Sequence, residues 1–128
     1  MILDTSTLGA VFLKEPGADE LVAKLGAAET VAIGAPSLVE AGIVLTARVG
    51  DGAQALLTQF LTEFGIVTLP FGDEHWRASV DAYRRFGKGR HKAGLNFGDC
   101  MSYATAKLAG QPLLCTGSDF RNTDAALA

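Results

Sequence analysis

Short apolar runs and longer segments of helical period alternate along this chain. The runs at Met1–Leu3, Val31–Ile33, Ile66–Leu69 and Leu113–Cys115 are each about the length of a strand. Between them, Leu21, Val22 and Leu25 mark a helical face after Pro16–Gly17, and a second helix begins at Pro36 in APSLVEAGIVL. Leu56, Leu57, Phe60, Leu61 and Phe64 fall in a stripe that only a helix aligns, with Gly65 as its stop. Trp76, Val80 and Tyr83 form another stripe, opened by Asp73–Glu74 at the positive end of the helix dipole. A last helix is predicted from about Gly98 to Leu108, closed by Gly110 with Pro112 beyond.

Strands alternating with helices imply right-handed crossovers and a parallel sheet covered on both faces. Runs that are apolar throughout, rather than alternating, agree with strands buried on both sides. The pattern predicts one three-layer α/β domain spanning 1–128, with Phe86–Gly98 (FGKGRHKAGLNFG) as its one long polar loop.

Composition narrows the classes. The chain has 128 residues, 48% hydrophobic and 20% charged, enough to bury a core and too few for two domains. Eleven Lys and Arg against 14 Asp and Glu leave a net charge of −3, so no global attraction to nucleic acid or anionic membrane exists. A polyanion partner would need a local basic patch or metal ions. The two cysteines, Cys100 and Cys115, lie far apart and lack neighbours at zinc-ligand spacing, which argues against a disulfide framework and for a reducing compartment. The start MILDTSTLGAVFLKEP has no basic region before its apolar stretch, and no run approaches a membrane span. The expectation is a soluble, cytoplasmic protein.

In open parallel sheets, ligands bind beyond the carboxyl ends of the strands. Four acids are predicted on that edge. Asp4 ends the first strand, Glu40 lies in the helix after the second, Asp99 opens the last helix, and Asp119 follows the fourth strand. Taken singly, Asp99 reads equally well as a helix-cap residue and Asp119 as a turn residue. Asp4 is harder to explain that way, because a carboxylate closing an apolar strand is costly to bury without a partner. Glu40 stands out most, set among Leu38, Val39, Ala41, Ile43, Val44 and Leu45, where a buried Glu needs a cation or a strong hydrogen-bond partner. Several carboxylates in one place raise one another's pKa, and a hard cation such as Mg²⁺ or Mn²⁺ resolves the conflict. Such a site supports metal-assisted phosphodiester hydrolysis. Thr5, Ser6, Asn96 and Thr116 are polar neighbours suited to orient ligands or water.

The basic residues point the same way. Arg84, Arg85, Lys88, Arg90 and Lys92 place five of the 11 cations within nine residues, with His91 among them. Most charge runs are simply solvated, but this one leads directly into Asp99. Lys88, Arg90, His91 and Lys92 are therefore the expected contacts for a phosphate backbone.

MILDTSTLGAVFLKEPG, APSLVEAGIVLTARVG, GKGRHKAGLNFGDCMSYATAKLAGQPLL and GSDFRNTD, in this order and spacing, resemble the PIN-domain toxins of the VapC type. The resemblance covers essentially the whole chain. It implies a three-layer α/β/α PIN-like domain whose central parallel sheet has four to five strands in an order near 3-2-1-4-5. It also implies a Mg²⁺- or Mn²⁺-dependent endoribonuclease and a homodimer inhibited by a VapB-type antitoxin. Carried over motif by motif, D-T-S places the first metal-site acid at Asp4 and L-V-E-A-G the second at Glu40. N-F-G-D-C then places Asp99, and G-S-D-F places Asp119. On this reading Asp4 and Asp99 hold the principal ion, while Glu40 and Asp119 act through water or hold a second. One departure stands out: Thr123–Asp124 is followed only by Ala125–Ala128, which puts the fifth strand in doubt, and with it Asp124 as a fifth acid.

Three other readings compete. A haloacid-dehalogenase-like phosphohydrolase requires a second Asp at position 6, which is Ser, and a receiver domain requires paired acids and a late Lys that are missing. A PIN-like module that binds RNA or protein without cleavage usually loses acidic positions, and this chain keeps all four. Nothing in the residues separates RNA from DNA as substrate.

Overall fold

The computed structural model describes residues 1–128. Four short strands, β1 (Ile2–Leu3), β2 (Ala32–Gly34), β3 (Val67–Leu69) and β4 (Leu113–Leu114), form a parallel sheet in the order β3-β2-β1-β4. Six helices surround it: α1 (Thr5–Phe12), α2 (Ala18–Ala27), α3 (Ala35–Val49), α4 (Ala53–Glu63), α5 (Asp73–Phe86) and α6 (Phe97–Ala109). The four strand runs and five of these helices match the hydrophobic pattern. The exception is α1, which follows β1 without a loop because Asp4 caps it directly.

Side chains alternate across the pleat. Leu3 and Leu114 join Leu8, Leu25, Ile33, Leu45 and Leu57 in one buried cluster. Their sequence neighbours Ile2 and Leu113 join Phe86, Leu95, Tyr103 and Phe120 in a second. The sheet thus separates two cores, which makes the architecture three-layered. No helix is long and apolar enough to cross a membrane.

Four features of the fold refine or correct the sequence expectations. First, β3 is not buried on both sides: it is the sheet's edge, and Val67 is 57% exposed. Second, the fifth strand, in doubt from the short tail, is a single parallel bridge between Leu127 and Leu113, held by Ala128 N–H donating to the Leu113 carbonyl at 2.9 Å. Third, α5 is a helix as expected, but the Trp76–Val80–Tyr83 stripe faces outward. Its buried face is Ser79, Ala82 and Phe86, because small residues let α5 approach α6 closely. Fourth, α3 keeps an open apolar side. That helix buries Ser37, Ala41 and Leu45 and leaves Val39 61% and Ile43 66% exposed.

Candidate active site

Asp4 sits where β1 turns into α1. Its N–H donates to the Leu114 carbonyl at 2.9 Å, which locks it between β1 and β4. The side chain is buried, and Oδ2 accepts the Ser6 N–H at 3.0 Å as the helix cap. Oδ1 accepts no hydrogen bond from the protein.

Asp99 lies in the first turn of α6. It forms a reciprocal capping box with Asn96: the Asp99 N–H donates to Asn96 Oδ1 at 2.9 Å, and the Asn96 N–H donates to Asp99 Oδ2 at 3.1 Å. The cap role and the cluster role are therefore both present in one residue. Burial pushes the Asp99 carboxyl up to about 6. The Asn96 hydrogen bond opposes that shift, while the charges of Asp4, Asp119 and Glu40 reinforce it.

Glu40 is half-buried on α3, not enclosed as its apolar neighbours suggested, because the outer half of that helix is open. Its carboxylate lies against the α6 backbone at Gly98. A Cβ at position 98 would stand 2.5 Å from Glu40 Oε2 and 3.0 Å from Oε1, so glycine is what lets the two helices bring Glu40 beside Asp99. Asp119 opens a 3-10 turn, Asp119–Asn122, and is exposed. The C-terminal ends of β1 and β4, the helix after β2 and the start of α6 thus bring Asp4, Asp119 and Glu40 within electrostatic reach of Asp99.

The polar neighbours are committed to the framework. Thr5 Oγ1 donates to the Ser37 carbonyl at 3.0 Å, and Ser6 Oγ accepts the Thr116 N–H at 3.0 Å, tying α1 to the segment after β4. The basic loop is closed on itself by the Gly87–Leu95 bridge. Lys88, Arg90 and Lys92 are exposed, and none forms an ion pair; the four pairs in the molecule use Arg84, Arg85 and Lys107. His91 is partly structural: its Nδ1 accepts the Ala93 N–H at 3.1 Å and its ring meets the edge of Phe86.

One cation that reaches this edge was missed. Arg121, two residues after Asp119, acts on Cys115, whose thiol is pushed up to about 11 by burial first and then by Asp4, with Arg121 opposing. Its place in GSDFRNTD was the available signal. Asp124 is drawn elsewhere, toward Tyr103, Arg85 and Lys107.

The donors available at this edge are carboxylate oxygens, since the neighbouring thiol stays protonated. They suit a hard divalent cation and not a soft one. No three His, Cys, Asp or Glu side chains close into a cage of their own. An ion such as Mg²⁺ takes one or two carboxylates and keeps its waters, so it does not require such a cage.

A parallel sheet in this order, with acids gathered beyond its carboxyl edge, defines a PIN-type fold, and the PIN domain family model matches residues 1–126. The chain belongs to the PIN-domain family. Within it, the chain groups with the VapC ribonucleases. It is similar to Ribonuclease VapC36 of Mycobacterium tuberculosis, at 46% identity over 125 residues that cover 97% of this chain and 90% of that protein. Ribonuclease VapC of Mycolicibacterium smegmatis is 40% identical over 126 residues, covering 98% of both chains. The fold is similar to that of the Sarcin-Ricin loop cleaving toxin VapC20 of Mycobacterium tuberculosis, with a TM-score of 0.80 at 15% identity over 99% of this chain and 97% of that one.

Proposed function

We propose that this chain is a metal-dependent endoribonuclease, the toxin of a VapB–VapC-type pair, working in the cytoplasm with residues 1–128 as one unit. The names carried by its relatives support the activity. The observation that carries the assignment of the site is the coupling of Asp99 to Asp4, Asp119 and Glu40. Three acids around Asp99 raise its proton affinity, and a bound cation would offset the cost of holding it ionised among them. Asp4 and Asp99 would hold Mg²⁺ or Mn²⁺, with Glu40 and Asp119 contributing through water. The ion supplies Lewis acidity toward a phosphoryl oxygen and toward the attacking water.

The chain's own residues do the rest. The Asn96–Asp99 capping box fixes Oδ2 of Asp99 and leaves its other oxygen without a protein hydrogen bond. Ser6 fixes Asp4 and Thr116 together. Arg121 offers positive charge at the rim, and the unpaired Lys88, Arg90 and Lys92 offer a track for the phosphate backbone. An antitoxin would inhibit by presenting a cationic side chain to the acids. The open apolar surface of Val39, Ile43 and Phe97, the last 82% exposed, is suited to a second copy of the chain.

The test is cleavage of a mixed RNA pool by the purified protein with Mg²⁺, with Mn²⁺ and with EDTA, beside Asp99→Asn and a single-stranded DNA pool. Cutting of RNA that needs metal and disappears in the variant is the expected result. Undiminished cutting by Asp99→Asn would sink the assignment of the site, and preferential cutting of DNA would sink the substrate.

A further inference from the structure

Asp124 is the acid of the GSDFRNTD segment that the cluster does not use, and it is the most heavily partnered carboxylate in the molecule. Its Oδ1 accepts a short hydrogen bond from the Tyr103 hydroxyl. Its Oδ2 accepts from Lys107 Nζ at 3.3 Å and from Arg85 Nη2 at 3.4 Å. Arg85 also faces Asp81 at 3.9 Å and Tyr103 at 3.5 Å. The three donors come from two helices, α5 and α6. Tyr103 is one turn beyond Asp99 on α6, so the two side chains share a face of that helix.

Asp119 itself is weakly held. It is exposed, on a four-residue 3-10 turn with no side-chain cap. The anchors lie on either side of it. Upstream, Thr116 is tied to Ser6. Within the turn, Phe120 is buried in the core cluster that contains Tyr103 and Phe86. Downstream, Thr123 Oγ1 donates to the Phe120 carbonyl at 2.7 Å and accepts the Ala125 N–H at 3.1 Å, and Asp124 closes onto α6. Beyond Thr123, the other ties to the rest of the molecule are Ala125 against the second core cluster and the hydrogen bonds joining Ala126 and Ala128 to Leu113.

We infer that Asp124 is a positioning residue: clamped by Tyr103, Arg85 and Lys107, it holds the turn carrying Asp119 in register with the helix face carrying Asp99. The inference rests on the metal-site reading proposed above. It assigns Asp124 no contact with substrate or ion. Partners of this kind, which orient ligands without touching the ion, are worth about 10–100-fold in metal affinity. The Tyr103 hydrogen bond, then Lys107 and Arg85, also hold the Asp124 carboxyl below its ordinary range, so the clamp is closed at neutral pH.

The experiment measures Mn²⁺ affinity by electron paramagnetic resonance, and amide exchange of residues 118–123 in metal-free protein. It compares wild type with Asp124→Asn, Tyr103→Phe and Asp99→Asn. Leu57→Ala, a core change in the other cluster, serves as a control for lowered stability alone. Asp124→Asn and Tyr103→Phe are expected to weaken Mn²⁺ binding by about 10–100-fold and to speed exchange around Phe120, with Leu57→Ala changing neither. Should Asp124→Asn fail to fold, Tyr103→Phe decides, since it removes one oxygen and keeps the ring. Wild-type Mn²⁺ affinity in the clamp variants, with loss in Asp99→Asn, would make Asp124 a tether of the tail only and overturn the inference. Wild-type affinity in Asp99→Asn as well would overturn the site reading and the inference with it.

Discussion

At the scale of single residues, the site is held together by groups that serve two purposes. Asp99 caps α6 and also sits with three other acids, and its raised carboxyl sets the sign of a pH effect. Well below about pH 4 the group is protonated in folded and unfolded chains alike and contributes no difference. As pH rises, the unfolded chain ionises first, so the metal-free protein loses stability until the folded carboxyl titrates near 6. Asp99→Asn should therefore stabilise the metal-free protein by about 1–2 kcal/mol at neutral pH, after allowing for a weaker cap. Thermal melts from pH 4 to 8 in EDTA check this, and a gap between variant and wild type that does not widen with pH would refute it. Gly98 gives a second test. Its replacement by Ala costs the backbone nothing and favours the helix by up to about 1 kcal/mol, yet the new methyl must displace the Glu40 carboxylate. Gly98→Ala is expected to melt no lower than wild type while losing most RNA cleavage; full activity would show that Glu40 is dispensable.

At the scale of elements, close approach of backbones decides where the acids go. Gly34 ends β2 and precedes α3, and a Cβ there would stand 2.7 Å from the buried Thr105 Oγ1 of α6. Thr105 is fixed by its own bond to the Met101 carbonyl, so it has little room to give. Gly34→Ala should destabilise by about 1–3 kcal/mol through overpacking, measured by urea unfolding. Because Gly34 leads into the helix carrying Glu40, part of that strain should also appear as weaker Mn²⁺ binding. The elements themselves were mostly legible from periodicity. The face of α5 was not: the large residues Trp76, Val80 and Tyr83 mark an apolar stripe, but the packing surface is the small one, Ser79 and Ala82. Hydrophobicity alone ranks the bulky stripe as buried, whereas a helix pressed against another needs small contacts.

At the scale of the whole molecule, the exposed apolar side chains of α3, with Phe97 beside them, form a contiguous apolar patch open to solvent. A second copy covering Val39, Ile43 and Phe97 is the proposed remedy. Ile43→Asp should convert a dimer to a particle of 13.4 kDa by multi-angle light scattering, without loss of helical signal. A monomeric wild type at micromolar concentration would exclude that surface as the dimer contact. The net charge of −3 adds that RNA is not drawn to the molecule as a whole. Affinity for it should rest on the unpaired loop cations, and the combined Lys88→Ala and Lys92→Ala change should weaken RNA binding and flatten its salt dependence. A salt slope equal to wild type would remove the loop from the interface.

The order of strands and helices, the parallel sheet and the identity of the four acids were present in the sequence, because each depends on local patterning or on motifs read in line. Asp4 ends an apolar run, Asp99 opens a helix and Asp119 follows a strand whatever else the chain does. Only the tertiary structure decided what those residues face. It turned the bulky stripe of α5 outward and placed Glu40 against Gly98. It left the basic loop closed on itself and brought Arg121 to the acidic edge. It also drew Asp124 away to a clamp built from α5 and α6. Each of these is a contact between segments distant in the chain, set by which surfaces pack most closely, and a one-dimensional pattern of polar and apolar positions does not encode that choice.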